Sequence, residues 1–306
     1  MIYDCIIVGG GPAGSFAAYL LAKSGYRTVL LERRPVYDEK ICGGYFSGKA
    51  LSIIRSSGVE LDSFEAYHGK KIYLIKRWRG EQYQEDVYSE QTHGLGVLRK
   101  EFDAYLAAQA ENKGTRLIMG KCVTNILKDN NIFRVDEFAS RYVILAAGAR
   151  GIQQFHNVNT PKKQQLLAKQ TVGISEIIHV TGNCSLSEKS VKFWFDKNDT
   201  DYFWSIPVGE CLWNIGYWCQ QATPAMREKF EEGRRRYIEQ YCEQIDVYRH
   251  AKGSFCGSVD LSSLVNSISS VCIGDMKGCN NPLVGAGLSQ AFESALQVVN
   301  FIKSAE

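Results

Sequence analysis

At 306 residues, with hydrophobic residues at 45% and charged residues at 23%, the chain has the composition of a soluble globular protein. A soft prior of about 150 residues per domain gives it two lobes. A formal net charge of +3 is too small to argue for nucleic acid as a partner.

No run approaches the roughly 18 apolar residues that span a bilayer. The apolar N-terminus carries Asp4 and leads into a glycine turn, so it reads as a core strand and not a signal peptide. The ten cysteines contain no CxxC pair. That spacing argues against a zinc site and for a reduced, cytoplasmic chain, with peripheral membrane contact left open.

The first stretch has the order of a dinucleotide-binding βαβ unit. The strand-like run Cys5-Ile6-Ile7-Val8 enters Gly9-x-Gly11-x-x-Gly14, a helix is expected over Ala17 to Ser24, and a second strand over Tyr26 to Leu31 ends on Glu32. Gly9 permits the tight turn, Gly11 lets backbone approach a pyrophosphate, and Gly14 lets the helix pack on the strand. With Pro12 and Ala13 between them, these residues set phosphate at the positive end of a helix. Glu32 stands where a carboxylate accepts ribose hydroxyls, and Arg33 follows it.

Lys40-Ile41-Cys42-Gly43-Gly44 then marks a loop where backbone passes close to something, ahead of a helix around Lys49 to Ser56. Lys71 to Ile75 and Tyr83 to Tyr88 alternate like antiparallel strands. Arg99 opens an amphipathic helix, with Phe102, Tyr105 and Leu106 at helical spacing and Asp103 on the same turn. Strands are expected around Arg116 to Met119, Val123 to Leu127 and Ile132 to Val135. The buried run Tyr142 to Gly148 ends in Ala146-Ala147-Gly148, small residues that permit close approach to a ligand, and is expected beside the first strand in a parallel sheet.

From Gln170 to Cys256 the texture is again largely antiparallel, with strands at Val172 to His179, Val191 to Phe195, Phe203 to Pro207 and Leu212 to Trp218. A charged helix follows over Ala225 to Gln244, and its Arg234-Arg235-Arg236 reads as a solvated face. At the end of the chain, Gly274-Asp275 closes a short strand. The turn Asn281-Pro282-Leu283-Val284-Gly285-Ala286-Gly287 then opens a helix from Leu288 to Lys303. The carboxylate suits a sugar-like hydroxyl and the turn offers backbone donors, so one long cofactor could be held from both ends of the chain.

Together these motifs resemble the FAD-binding frame of the p-hydroxybenzoate hydroxylase fold. The resemblance implies an α/β chain with a Rossmann-type FAD-binding domain (1–68, 99–165 and 257–306). A mixed, mostly antiparallel β-sheet substrate-binding domain (69–98 and 166–256) would be inserted in it. Asp275 would bind the ribityl hydroxyls, and Pro282, Gly285 and Gly287 would border the isoalloxazine. Arg33, Arg99, Val123, Ala147 and Gly148 would also lie along the cofactor.

Lys40-x-Cys42-Gly43-Gly44 resembles the CGG loop of geranylgeranyl reductases, where it lies near the flavin. Tyr202-x-Trp204-x-Ile206-Pro207, with Gly216 after it, resembles that family's substrate motif, Ile206 replacing a Phe and Trp218 the second Gly. Tyr202, Trp204, Ile206 and Pro207 would wall an apolar, prenyl-like substrate.

The implied activity is FAD-dependent reduction or dehydrogenation of C=C bonds by hydride transfer at flavin N5, with Cys42 as proton donor. Electrons would come from NAD(P)H or from a protein such as ferredoxin. The same strand is similar to the Trp-x-Trp-x-Ile-Pro of flavin-dependent halogenases. A monooxygenase or halogenase working through a C4a-hydroperoxide is thus one alternative, and a flavoprotein electron carrier another. Arg150 in Ala149-Arg150-Gly151, where aromatic hydroxylases carry an acid, weighs against hydroxylation. Geranylgeranyl reductases usually continue beyond the last helix. The end at Glu306 leads to the expectation of a cavity that is more open or completed by a partner.

Overall fold

A computed structural model describes residues 1–148, 151, 170–181, 189–196, 201–219, 223–256, 271–277 and 287–305. Its elements run β1 (Ile2–Val8), α1 (Pro12–Lys23), β2 (Thr28–Leu31), β3 (Tyr45–Phe46), α2 (Gly48–Ser56), α3 (Asp62–His68), β4 (Gly69–Ile72), β5 (Leu74–Arg79), β6 (Gln82–Val87), β7 (Gly94–Val97) and α4 (Arg99–Asn112). There follow β8 (Arg116–Ile118), β9 (Ile126–Asp129), β10 (Ile132–Val135), β11 (Phe138–Leu145), β12 (Gln170–Val180), β13 (Ser190–Phe195), β14 (Asp201–Gly209), β15 (Leu212–Cys219), α5 (Met226–Tyr241), β16 (Ile245–Cys256), β17 (Val271–Cys272), the 3₁₀ turn Gly274–Lys277 and α6 (Gly287–Ser304).

The first sheet has the strand order β8-β2-β1-β11-β10-β9, with β17 on β11. β1 lies parallel to both β2 and β11, Ile7 sitting opposite Leu30 and Ile144. Alternation sends Cys5 and Ile7 to one face and Ile6 and Val8 to the other. Both faces are covered, as a central parallel strand requires. On the first face Phe16 of α1, Phe102 of α4 and Phe292 of α6 are fully buried together. Pro12 presets the first turn of α1.

The second sheet runs β16-β12-β15-β14-β13-β5-β6. Its neighbours are antiparallel except β13 and β5, which pair in parallel from Ser190 and Leu74 onward. In β14 and β15 the odd residues Phe203, Trp213, Ile215 and Tyr217 pack with Phe230 and Tyr237 of α5. The even residues Trp204, Ile206, Val208 and Trp218 form a separate apolar layer on the opposite face. A small third sheet, β3-β7-β4, lies between.

Three features depart from the sequence reading. The run Lys71 to Ile75 splits at Tyr73, whose N–H bonds to the Lys189 carbonyl at 2.9 Å, so β4 joins the third sheet and β5 the second. β16, paired with β12 over nearly its whole length, and the short α3 were not foreseen. Among the described residues, no helix is long and apolar enough to cross a membrane.

Candidate cofactor and substrate site

The glycines of the first turn do different work. Gly9 has φ +110, and a Cβ there would stand 2.4 Å from the Ala146 carbonyl oxygen. A Cβ on Gly14 would stand 1.9 Å from the carbonyl oxygen of Gly9, so both positions are set by packing. Gly11, the N-cap of α1, has nothing within 4 Å of its missing side chain, and neither a side-chain cap nor an acid occupies the helix's first turn. The uncapped N–H groups there form a ready anion cradle.

Glu32 is 4% exposed. Its Oε2 accepts the Gly10 N–H at 2.8 Å, and its Oε1 accepts the Arg34 N–H and Nε–H at 2.9 and 2.8 Å. Burial opposes its charge, but these Arg34 and backbone bonds prevail and hold the carboxyl below its ordinary range. The arginine that meets Glu32 is thus Arg34, which also lies over the Tyr37 ring. The expected Arg33 is exposed.

The loop at residues 38–44 is fastened at several points. The Asp38 carboxylate accepts two hydrogen bonds from Arg249 of β16, at 2.6 and 3.0 Å. The Glu39 carboxylate caps α4, accepting the N–H groups of Arg99 at 3.2 Å and Lys100 at 3.0 Å. Burial raises the Glu39 carboxyl above its ordinary value, these bonds offsetting only part of the effect. Lys40 Nζ lies 3.4 Å from Asp275 Oδ2. The Cys42 carbonyl accepts Nδ2–H of Asn214 at 2.7 Å, and its sulfur accepts the Gly44 N–H at 3.5 Å.

Arg99 is 3% exposed and forks onto Asp103, with Nε–Oδ1 at 2.9 Å and Nη2–Oδ2 at 3.1 Å. Burial disfavours its charge. The Asp103 carboxylate and the Cys42 side chain that it also meets hold the guanidinium firmly protonated.

The glycines after Cys42 serve packing. A Cβ on Gly43 would meet Ile206 Cδ1 at 2.5 Å, and Gly44 takes φ +76, where a Cβ would stand 2.3 Å from the Val97 carbonyl oxygen. The close neighbour expected for this loop is the second sheet and β7.

On that sheet Tyr202, Trp204, Ile206, Trp218 and Phe193 line one cavity with Cys42, Arg99 and Gly11. Tyr202 stacks on Trp218 at 5.2 Å, and burial pushes its phenol well above the ordinary range. Pro207 lies outside this wall. It is an odd residue of β14, on the side opposite the cavity, and its carbonyl backs onto Gly96. Val123 is also outside it, 2% exposed in the core under the first sheet, and Ala147 packs beside the same cluster. Gly274, Asp275, Gly148 and Gly287 close the other end of the cavity. Pro282, Gly285, Ala149 and Arg150 lie outside the described residues. The space between these walls, open mouth included, is about 1100 Å³.

Open backbone at Gly11, an uncapped helix start, the Asp275 carboxylate in the same cavity and the Glu32 carboxylate bonded to Gly10 of the turn fit a dinucleotide. Residues 3–255 match the family described as FAD binding domain. The chain belongs to this FAD-binding family.

This flavoprotein is 24% identical over 319 residues to a digeranylgeranylglycerophospholipid reductase of Thermoplasma acidophilum, covering 99% of this chain and 78% of the relative. Among solved structures it superimposes on a geranylgeranyl bacteriochlorophyll reductase-like protein of the same organism, with TM-score 0.78, 19% identity and coverage of 99% and 78%. The halogenase PltM gives TM-score 0.75 at 15% identity, with coverage of 100% and 70%. The chain is a FAD-dependent oxidoreductase similar to the geranylgeranyl reductases, and it shares the p-hydroxybenzoate hydroxylase-like fold.

Sequence reasoning missed Asn214 of this FAD-binding protein. It is 4% exposed and accepts the Trp204 indole N–H at 2.9 Å while donating to Cys42. An indole N–H only donates and a carbonyl only accepts, which fixes the orientation of this amide. The signal lay in the sequence as an isolated polar residue in an apolar strand.

Proposed function

We propose that the chain reduces C=C bonds of an apolar, prenyl-like substrate. The observation that carries this reading is the continuity of the cavity. The helix start at Gly11 to Ala13, the Cys42 loop and the aromatic wall of Tyr202, Trp204 and Trp218 line one space, with Cys42 among them.

In this reading Gly11 and Ala13 cradle the pyrophosphate while Gly14 lets the helix pack close, Glu32 takes the adenosine ribose, Asp275 the ribityl chain, and Gly287 with Arg99 lies near the ring system. FAD, when bound and reduced, supplies a hydride. Cys42 gives the proton from Sγ to the second alkene carbon. The resulting thiolate rests between the Gly44 N–H and the Arg99 guanidinium until solvent returns a proton. With the hydride that bound, reduced FAD would supply, the thiol proton would complete the conversion of the alkene to an alkane, leaving the cofactor oxidised by two electrons. The aromatic wall orients the apolar chain and excludes water. NAD(P)H or a ferredoxin-type protein recharges the cofactor. Segments 69–98 and 166–256 form the substrate-binding part.

The test is anaerobic turnover of prenyl alkenes by the dithionite-reduced holoprotein, beside Cys42→Ser. Saturated product from the parent, with most turnover lost and FAD retained in the variant, is expected. Unchanged turnover in Cys42→Ser removes Cys42 from the step. Product that forms only with oxygen, as a hydroxylated or halogenated compound, moves the chain to oxygenase chemistry.

A further inference from the structure

Cys42 sits on a loop that is irregular from Asp38 to Gly44, where the local backbone offers its sulfur one contact, the Gly44 N–H at 3.5 Å. A stronger hold on its backbone comes from another sheet. Asn214 is an even residue of β15, opposite Ile206 of β14 in register and turned to the cavity face. Its amide is used at both ends, Oδ1 taking the Trp204 Nε1–H at 2.9 Å and Nδ2–H reaching the Cys42 carbonyl at 2.7 Å. Gly43 then lies close enough to Ile206 that a Cβ there would be 2.5 Å from Cδ1 and 3.5 Å from the Trp204 nitrogen. The loop is thus seated on the same two residues that wall the cavity.

We propose that Asn214 is the positioning residue for Cys42: through its one amide, the aromatic wall holds the loop so that the thiol stays within the cavity. This rests on the proposed function and deepens it, since it specifies how the proton donor is placed. Asn214 touches neither a reacting atom nor the cofactor in this account. It acts through the carbonyl of Cys42, and Trp204 in turn holds Asn214. A ligand that moves the Trp204 ring is therefore felt at Cys42 through two hydrogen bonds.

The experiment measures the alkylation rate of Cys42 by iodoacetamide in the FAD-loaded protein. The rate is followed on the tryptic peptide at residues 41–49, which contains Cys42 and no other cysteine. Asn214→Leu, which removes both arms at similar volume, is expected to raise the rate roughly five-fold, the weight of one neutral hydrogen bond. FAD absorbance per protein should stay unchanged.

Asn214→Asp supplies a pH readout that a merely structural role would not move. The introduced carboxyl can still accept from Trp204 and, while protonated, can donate to the Cys42 carbonyl. Once ionised it only accepts. The ratio of its alkylation rate to that of the parent should start near one in acid and rise with pH. Trp204→Phe, which withdraws the indole N–H, should give a smaller rise and serves if Asn214→Leu does not fold. A ratio of one at every pH for Asn214→Asp, together with parental rates in the other variants, overturns the proposal. Loss of turnover in Cys42→Ser is independent of this result, so failure of the positioning role and failure of the reductase reading are separable.

Discussion

Gly216 faces Trp204 across the β14–β15 pair, and a methyl group built on it would stand 2.1 Å from the indole Cζ2 and 2.5 Å from the Ile174 carbonyl oxygen. The glycine is the space into which the ring folds flat against its neighbouring strand. Gly216→Ala is therefore expected to turn the indole out of place, at a cost of about 1–3 kcal/mol for overpacking. A thermal unfolding curve reads the cost, and loss of Trp204 fluorescence quenching by an apolar ligand reads the displaced wall. A parental melting curve would show that the ring has another place to go.

The glycines of the first turn separate folding from cofactor binding. Gly11→Ala has open space and an ordinary φ of −74, so the apoprotein should lose no more than about 0.5 kcal/mol as an N-cap change. Its FAD dissociation constant should rise ~10-fold or more, because the added methyl stands where backbone meets phosphate. Gly14→Ala puts a methyl into the Gly9 carbonyl, 1.9 Å away, and should destabilise the apoprotein itself by at least ~2 kcal/mol. Fluorescence titration with FAD and urea unfolding of both variants distinguish the two roles. Equal effects on both quantities in both variants would contradict it.

Glu32 gives a pH dependence of defined sign. Its folded carboxyl lies below the ordinary glutamate value of 4.5, its Arg34 and backbone bonds outweighing burial. The native state thus favours the charged form, and the stability this adds is complete above that ordinary value. It drains away as the pH falls through the lower native one. Melting temperatures measured between about pH 6 and pH 3 should fall less steeply for Glu32→Gln than for the parent. Parallel curves would remove Glu32 as a contributor.

The Asp38–Arg249 pair is partly exposed, with side chains at 54% and 36%, so its value for global stability is small, within about 1 kcal/mol. Its effect should be local. Arg249→Gln frees the start of the Cys42 loop, and limited trypsin digestion should cut after Lys40 several-fold faster with the melting temperature nearly unchanged. Identical cleavage rates would mean that the loop's other contacts, at Glu39, Lys40 and Cys42, keep it seated without this pair.

Much of the fold could be read from local pattern. The glycine turn, the period-2 alternation of β14 and β15, and the apolar run ending at Gly148 each carry their structure in a few adjacent residues. What was hidden depends on partners distant in sequence. Pro207 was expected in the substrate wall from its place in a motif, but its parity in β14 puts it on the other face. Gly43 and Gly44 mark a loop where backbone passes close to something, and the neighbours that leave no room for a Cβ are Ile206 and Val97. Asn214 has meaning only because the β14–β15 register sets it opposite Ile206, within reach of the Trp204 indole on the same face, and because a loop well over a hundred residues earlier presents a carbonyl to it. β16 escaped notice because an edge strand needs apolar residues on one face at most, and its exposed Val247 and Tyr248 alternate with charge.

The parallel pairing of β5 with β13 also governs how the chain must be assembled. Leu74 meets Ser190, so the β5–β6 hairpin leaves the ribosome long before its partner strand exists. Until then Trp78, which finally stacks on Trp194 at 5.1 Å, has only Tyr83 of its own hairpin to lie against, and the inner edge of β5 is an open template for pairing with other chains. Closing a sheet across so long a sequence separation is slow. The aggregation hazard during synthesis is therefore concentrated in this hairpin, whose charged residues Lys76, Arg77, Glu85 and Asp86 pair across its two strands and blunt that edge.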